Sequence, residues 1–88
     1  MSISVQIPPT FLGYTNYVEV IRVNGKIVGE CFHDLVSLCP DLEKAIFNKD
    51  GSFSSYIPVI KNNDYSLRVY ESSKVEDGDV LSIVFLSG

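Results

Sequence analysis

Between residues 28 and 39 the apolar side chains keep a single spacing. Val28, Cys31, Phe32, Leu35, Val36 and Cys39 fall at i, i+3, i+4, i+7, i+8 and i+11, the continuous stripe of an amphipathic helix. The opposite face carries Gly29, Glu30, His33, Asp34 and Ser37. Pro40 stops the helix, because its ring clashes with the preceding turn and it has no N–H to donate. A lone amphipathic helix in a chain of 88 residues can bury its stripe only against one face of a sheet. The remaining segments must therefore supply strands.

Ile3, Val5 and Ile7 alternate with Ser2, Ser4 and Gln6, the period-2 pattern of a half-buried strand. Pro8 and Pro9 end it, and the "FLGYTN" stretch supplies a turn into a second strand, about Tyr17 to Val23. Asn24-Gly25 punctuates the chain before the helix. After Pro40, "DLEKAIF" predicts a further short helical turn with Leu42 and Ile46 facing inward. "NKDGSFS" reads as a loop turning at Asp50-Gly51. Tyr56 to Lys61 predicts a third strand, with Pro58 pointing to a sheet edge or a bulge. Asn62-Asn63-Asp64 turns the chain into a short strand, Leu67 to Tyr70, and Asp77-Gly78-Asp79 leads into the last strand, Val80 to Leu86.

This order of hairpin, helix and three further strands places the first and last strands side by side in the middle of the sheet, parallel to one another. It is the β-grasp arrangement: an α+β roll with a mixed four- to five-stranded sheet, one main amphipathic helix and a single domain over residues 1–88. Ile3, Val5, Ile7, Val28, Phe32, Leu35, Val36, Ile83 and either Val84 or Phe85 are expected to share one core.

Composition narrows the function. With 45% hydrophobic and 20% charged residues the chain reads as globular. A net charge of −4, with only five Lys and two Arg scattered along it, argues against nucleic-acid binding, which draws on Lys/Arg counterion release. An acidic chain of this kind is better suited to a basic groove on a partner protein. "MSISVQIPP" has neither a basic segment nor an apolar core, so no signal peptide is expected. No apolar run approaches the ~20 residues of a membrane span. Cys31 and Cys39, eight apart on one helix, have backbones about 12 Å apart, too far to bridge. They read as reduced, buried residues of a cytoplasmic protein.

Few residues could carry chemistry. His33 is the only histidine and lies on the polar helix face as a solvated side chain. The cysteines sit on the apolar stripe, where small buried hydrophobes are expected. One histidine and no CxxC give no support to a zinc site. "NKDGSF" fails the calcium-loop spacing, because Ile46 and Ile57 stand where ligands are needed. Glu71, Glu76, Asp77 and Asp79 read as turn chemistry. The ending is different: a strand that leads to Gly88 presents a slim carboxylate, and glycine can enter narrow passages and adopt backbone angles that other residues resist.

"RVNGKIVGECFHDLVSLCPDLEKAIFNKDGSFSSYIPVIKNND", followed by "VEDGDVLSIV", resembles the MoaD/ThiS group of ubiquitin-like sulfur carriers. The likeness spans residues 2 to 86 and includes the proline-broken helix, the Asp-Gly turn before the third strand and the Asp-Gly-Asp turn before the last. It is closer to the longer MoaD-like members. The resemblance implies a protein substrate rather than an enzyme. Its terminal Gly88 would be adenylylated by an E1-like enzyme of the MoeB/ThiF kind, with ATP as that enzyme's cofactor and none bound here. Conversion to a thiocarboxylate would follow, with sulfur delivered to a biosynthetic acceptor such as a molybdopterin or tungstopterin precursor. Phe85, Leu86 and Ser87 would thread the partner's channel, including that of a large molybdopterin synthase subunit. The free carrier would be a monomer that engages neither metal, nucleic acid nor membrane.

One departure stands out. The family ends in Gly-Gly, whereas this chain ends Ser87-Gly88. Either Ser87 replaces the penultimate glycine, or the chain stops one residue short, which would reduce its reach by ~3.4 Å. Two alternatives therefore stand beside the carrier: a β-grasp interaction module without sulfur transfer, and a ubiquitin-like modifier joined to lysines through Gly88.

Overall fold

The computed structural model describes residues 2–52 and 58–84. Five strands form one sheet: β1 (Ser2–Gln6), β2 (Val20–Asn24), β3 (Val59–Lys61), β4 (Asp64–Val69) and β5 (Val80–Ile83), in the spatial order β2-β1-β5-β3-β4. β1 and β5 run parallel in the middle, with Ser4 beside Val80 and Gln6 beside Ser82. The other pairings are antiparallel. The expected arrangement of the first and last strands is observed.

Alternation decides which face is buried. Ile3 and Val5 are fully buried while Ser2 and Gln6 are exposed. Their neighbours Val23 and Leu81 are buried too, and Ile21 packs against the same cluster. Helix α1 (Val28–Leu38) covers this face with Val28, Cys31, Phe32 and Leu35. Burying a side chain such as Leu35 stabilises the fold by about 1.5–3 kcal/mol. Val36 lies only half-buried at the margin of the stripe. A short 3-10 turn (Pro40–Leu42) and helix α2 (Glu43–Ile46) follow, and Leu42 and Ile46 face inward as expected.

The N-terminus of α1 has no side-chain cap on its first residue. Instead the chain at 71–75 lies across it. The N–H groups of Val28 and Gly29 donate to the carbonyls of Ser73 and Glu71, each at 2.9 Å, and Val75 N–H donates to Lys26 O at 3.1 Å. Gly29, expected on the polar face, is consequently buried. At Gly25 the helix approaches so closely that a Cβ would lie 2.7 Å from the Cys31 nitrogen and 2.9 Å from its sulfur. The glycine after Asn24 is a packing requirement.

Several boundaries differ from the sequence expectation. The stretch 9–15 is a 3-10 helix rather than a plain turn, with Phe11 buried beneath it. β2 begins at Val20 and not at Tyr17, because Asn16 (φ 54°) and Tyr17 (φ 65°) are both left-handed, and such residues cannot continue a strand. Asn62 (φ 54°) and Asn63 (φ 61°) complete a two-residue hairpin turn by themselves. Asp64 therefore already pairs with Lys61, and β4 starts earlier than Leu67. β3 is an interior strand, which corrects the edge among the two readings of Pro58, while a register shift between Ile60 and Lys61 in its pairing with β4 matches the other, a bulge; the proline itself precedes the strand, where a missing N–H is harmless. Tyr56 and Ile57 lie outside the described residues. Cys39 is the helix C-cap and only half-buried, so of the two cysteines only Cys31 is fully buried.

Candidate functional site

The Asp-Gly-Asp turn fixes where β5 begins. Gly78 has φ 90°, a conformation open to glycine at little cost, and its N–H donates to Ser2 O at 2.9 Å. Ser2 N–H in turn donates to Asp77 Oδ1 at 2.6 Å. Asp79 ties its own turn to β1 and to the end of β3. Its carbonyl accepts from Ser4 N–H at 3.0 Å, and its Oδ2 accepts from Glu76 N–H at 2.8 Å. Its Oδ1 accepts from the Asn62 amide at 3.1 Å, and Lys61 Nζ stands 4.0 Å away. Burial opposes the charge on this carboxyl, but the Glu76 N–H, the Asn62 amide and Lys61 outweigh it and hold it below the ordinary aspartate range. Asn62 completes the clasp by accepting the Val80 N–H at 2.9 Å. The acidic cluster is thus turn chemistry, as its spacing suggests, and through this clasp it also sets the register of the last strand.

Further along β5, Leu81 and Ile83 are buried under the helix, and the Ser82 hydroxyl donates to Gln6 Oε1 at 2.8 Å on the opposite face. Val84 N–H donates to Pro58 O at 3.0 Å. That bond anchors the chain immediately before the four residues singled out as the site. Phe85, Leu86, Ser87 and Gly88 themselves lie outside the described residues. Beside this root is a hollow of about 370 Å³, with Gln6, Pro8, Thr10, Tyr65 and Val84 among its lining residues and no charged side chain among those described. Sequence patterning missed it, because it forms from two chain ends of β1 and β5 and the tip of a distant hairpin.

The other residues weighed for chemistry are placed as follows. Cys31 is buried, and that burial, followed by Glu30 and Asp34, pushes its thiol up to about 11, leaving it protonated and a poor nucleophile at neutral pH. His33 is exposed but stacks on Phe47, ring centres 4.7 Å apart, which was not apparent from its helix face. In the Asp50-Gly51 loop, Asp50 Oδ1 accepts from both the N–H and the hydroxyl of Ser52, a local turn. Among the described residues no three His, Cys, Asp or Glu side chains gather as metal ligands, and no helix is long and apolar enough to cross a membrane.

No protein-family model and no curated protein matches the sequence. Solved structures do. The small archaeal modifier protein 1 (SAMP1) of Haloferax volcanii superposes with a TM-score of 0.87 at 23% identity, covering 100% of this chain and 99% of that one. A chain of the Amycolatopsis orientalis BexX/CysO complex gives 0.84 at 22% identity, covering 98% of each. CysO of Mycobacterium tuberculosis gives 0.79 at 17% identity, covering 94% of this chain and 97% of its own. The parallel central pair, the one main helix packed on the sheet and these full-length superpositions establish the β-grasp fold for this chain.

Proposed function

We propose that the protein is a sulfur carrier whose Gly88 carboxylate is the reactive group. The observation that carries this reading is the anchoring of β5. A strand gripped on both sides, clasped at its start by Asp79 and Asn62 and tied at its end by Val84, gives the residues that follow a fixed point of departure. Such a frame suits delivery of a carboxylate into another protein's active site, where positioning supplies much of the rate. The MoaD/ThiS-like sequence and the frame shared with SAMP1 and CysO support the same conclusion. The thiol of Cys31, protonated in the core, is not suited to carry the sulfur.

The chemistry takes place on a partner. The Gly88 carboxylate attacks the α-phosphorus of ATP in an E1-like adenylyltransferase of the MoeB/ThiF kind, expelling pyrophosphate and giving an acyl adenylate. Hydrosulfide-level sulfur then displaces AMP and leaves a thiocarboxylate, which donates its sulfur to an acceptor in cofactor biosynthesis, of the molybdopterin class. Phe85, Leu86 and Ser87 thread the partner's passage. The protein works in the cytoplasm as a co-substrate, not as an enzyme.

A second reading is favoured by one comparison: SAMP1 is described as a modifier protein. In that reading the same adenylate is captured by a lysine amine rather than by sulfur. Intact-mass measurement after incubation with a cognate adenylyltransferase, ATP and sulfide separates the two. A carrier gains the mass difference between sulfur and oxygen, whereas a modifier appears as a lysine conjugate. Deleting Gly88 is expected to abolish either product without unfolding the protein, and Ser87→Gly to leave the yield equal or higher. Absence of any adenylate, from the native chain or from one extended by a glycine, refutes both.

A further inference from the structure

The outer edge of β2 is open over part of its length. Ile7 N–H donates to Glu19 O at 2.8 Å, so Glu19, and by alternation Ile21 and Val23, turn their main-chain groups toward β1. Val20, Arg22 and Asn24 turn theirs outward. The Asn24 N–H is met by Asp34 Oδ2 of α1 at 2.9 Å. The N–H and C=O groups of Val20 and Arg22 have no partner among the described residues. Soluble proteins usually shield such an edge with charge, proline or a bulge. Here the only charged side chain within the strand is exposed Arg22, and the edge is flanked by exposed Tyr17 (76%), Val18 (47%) and Val20 (49%).

The two sides of this edge differ in chemistry. On the sheet's open side stands Val20, with exposed Val18 just ahead of the strand. On the helix side are the carboxylates of Glu30 and Asp34, and exposed Glu19 immediately precedes the strand. Glu30 and Asp34 line an open hollow of about 630 Å³ beside Asn24, shared with Lys26, His33 and Ser37. Each of these two carboxylates uses one oxygen on a backbone N–H, that of Lys26 or Asn24, and keeps the other without a partner among the described residues.

We propose that the β2 edge docks an extended segment of a partner protein in which apolar and basic residues alternate. The main chain of that segment pairs with Val20 and Arg22 as a sixth strand. Its apolar residues cover Val18 and Val20, and its Lys or Arg residues meet Glu19, Glu30 and Asp34. Successive side chains of a strand point to opposite faces, so a period-2 segment satisfies both sides at once. A second copy of this chain fits less well, since it would bring the same carboxylates and a net charge of −4 against their like. The surface is independent of the sulfur-carrier reading and lies on the sheet edge farther from β5 than β1.

The test uses the full chain, labelled with ¹⁵N, and an acetylated and amidated heptapeptide, Lys-Val-Lys-Val-Lys-Val-Lys. Expected are amide shifts confined to residues 17–24 and to the neighbouring face of α1, and none with the peptide in which Glu replaces Lys. Val20→Pro removes only an outward-pointing N–H, so β1 pairing survives while affinity falls about tenfold or more. Glu19→Lys, on an exposed side chain, also weakens binding. The proposal is overturned if the peptide gives no shifts at millimolar concentration, if the shifts lie elsewhere, or if folded Val20→Pro binds as wild type does. A concentration-dependent dimer that Val20→Pro abolishes would assign the edge to a second copy and overturn it equally.

Discussion

Replacing Asn62 by Ala and by Gly separates two contributions to the clasp at the start of β5. The Asn62 side chain accepts from Val80 N–H and donates to Asp79 Oδ1, and its backbone is left-handed at φ 54°. Hydrogen bonds of this kind are worth about 0.5–1.5 kcal/mol each, so losing both costs about 1–3 kcal/mol. Glycine keeps the left-handed turn and loses only the bonds, at a small further entropic cost. Alanine loses the bonds and also incurs about 1–2 kcal/mol of left-handed strain. Asn62→Ala is therefore expected to be the weaker protein, by roughly 0.5–1 kcal/mol relative to Asn62→Gly. For a domain of this size each kcal/mol lowers Tm by about 4–8 °C. Urea melts and calorimetry of both variants measure the difference. If both lie within 0.3 kcal/mol of wild type, a margin close to the usual limit of additivity, the side chain does not set the strand. If Ala matches or exceeds Gly in stability, the left-handed strain is absent.

Two further outcomes follow from the titrating groups. The Asp79 carboxyl titrates lower in the folded protein than its ordinary value. The folded state thus gains stability that is present above the unfolded carboxyl range, near pH 4, and is lost as pH falls through the lower folded value. Asp79→Asn should flatten the acid limb of a stability–pH profile while sparing the profile above neutrality; an unchanged acid limb argues against the clasp. For the cysteines, half-buried Cys39 is expected to be alkylated by iodoacetamide at neutral pH well before Cys31, whose thiol is raised to about 11. Peptide mapping that finds Cys31 modified first would contradict its place in the core.

The helix, the parallel central pair and the Asp-Gly-Asp turn were legible in the sequence because each rests on a local regularity: a 3.6-residue stripe, period-2 alternation, or a glycine that tolerates positive φ. What escaped depends on contacts between distant segments. Tyr17 reads as strand by propensity, yet the Thr15 hydroxyl, bonded to the carbonyls of Leu12 and Val18, holds the chain in a turn there. Gly29 sits on the polar side of the helical wheel, and only the chain at 71–75 buries it. Val36 and Cys39 fit the stripe, but they lie at its margin and at its end. The clasp joins Asn62 to Asp79, residues that no spacing rule connects. The described residues stop at Val84, just before the candidate site. Gly88 remains a reading of sequence character and of the frame that leads to it.

The place of β5 between β1 and β3 also sets the order in which the fold can form. Gln6 and Ser82 are neighbours across 76 residues of chain, and contacts of such long separation form late. Without β5 the β1–β2 hairpin and the β3–β4 hairpin each present an unpaired edge to the gap between them. Only when Val80–Ile83 is in place can the two halves close into one sheet. A nascent chain interrupted before Val80 would be left as two incomplete hairpins, exposed to aggregation and proteolysis, so the cell's quality control would remove copies that lack the strand bearing the tail.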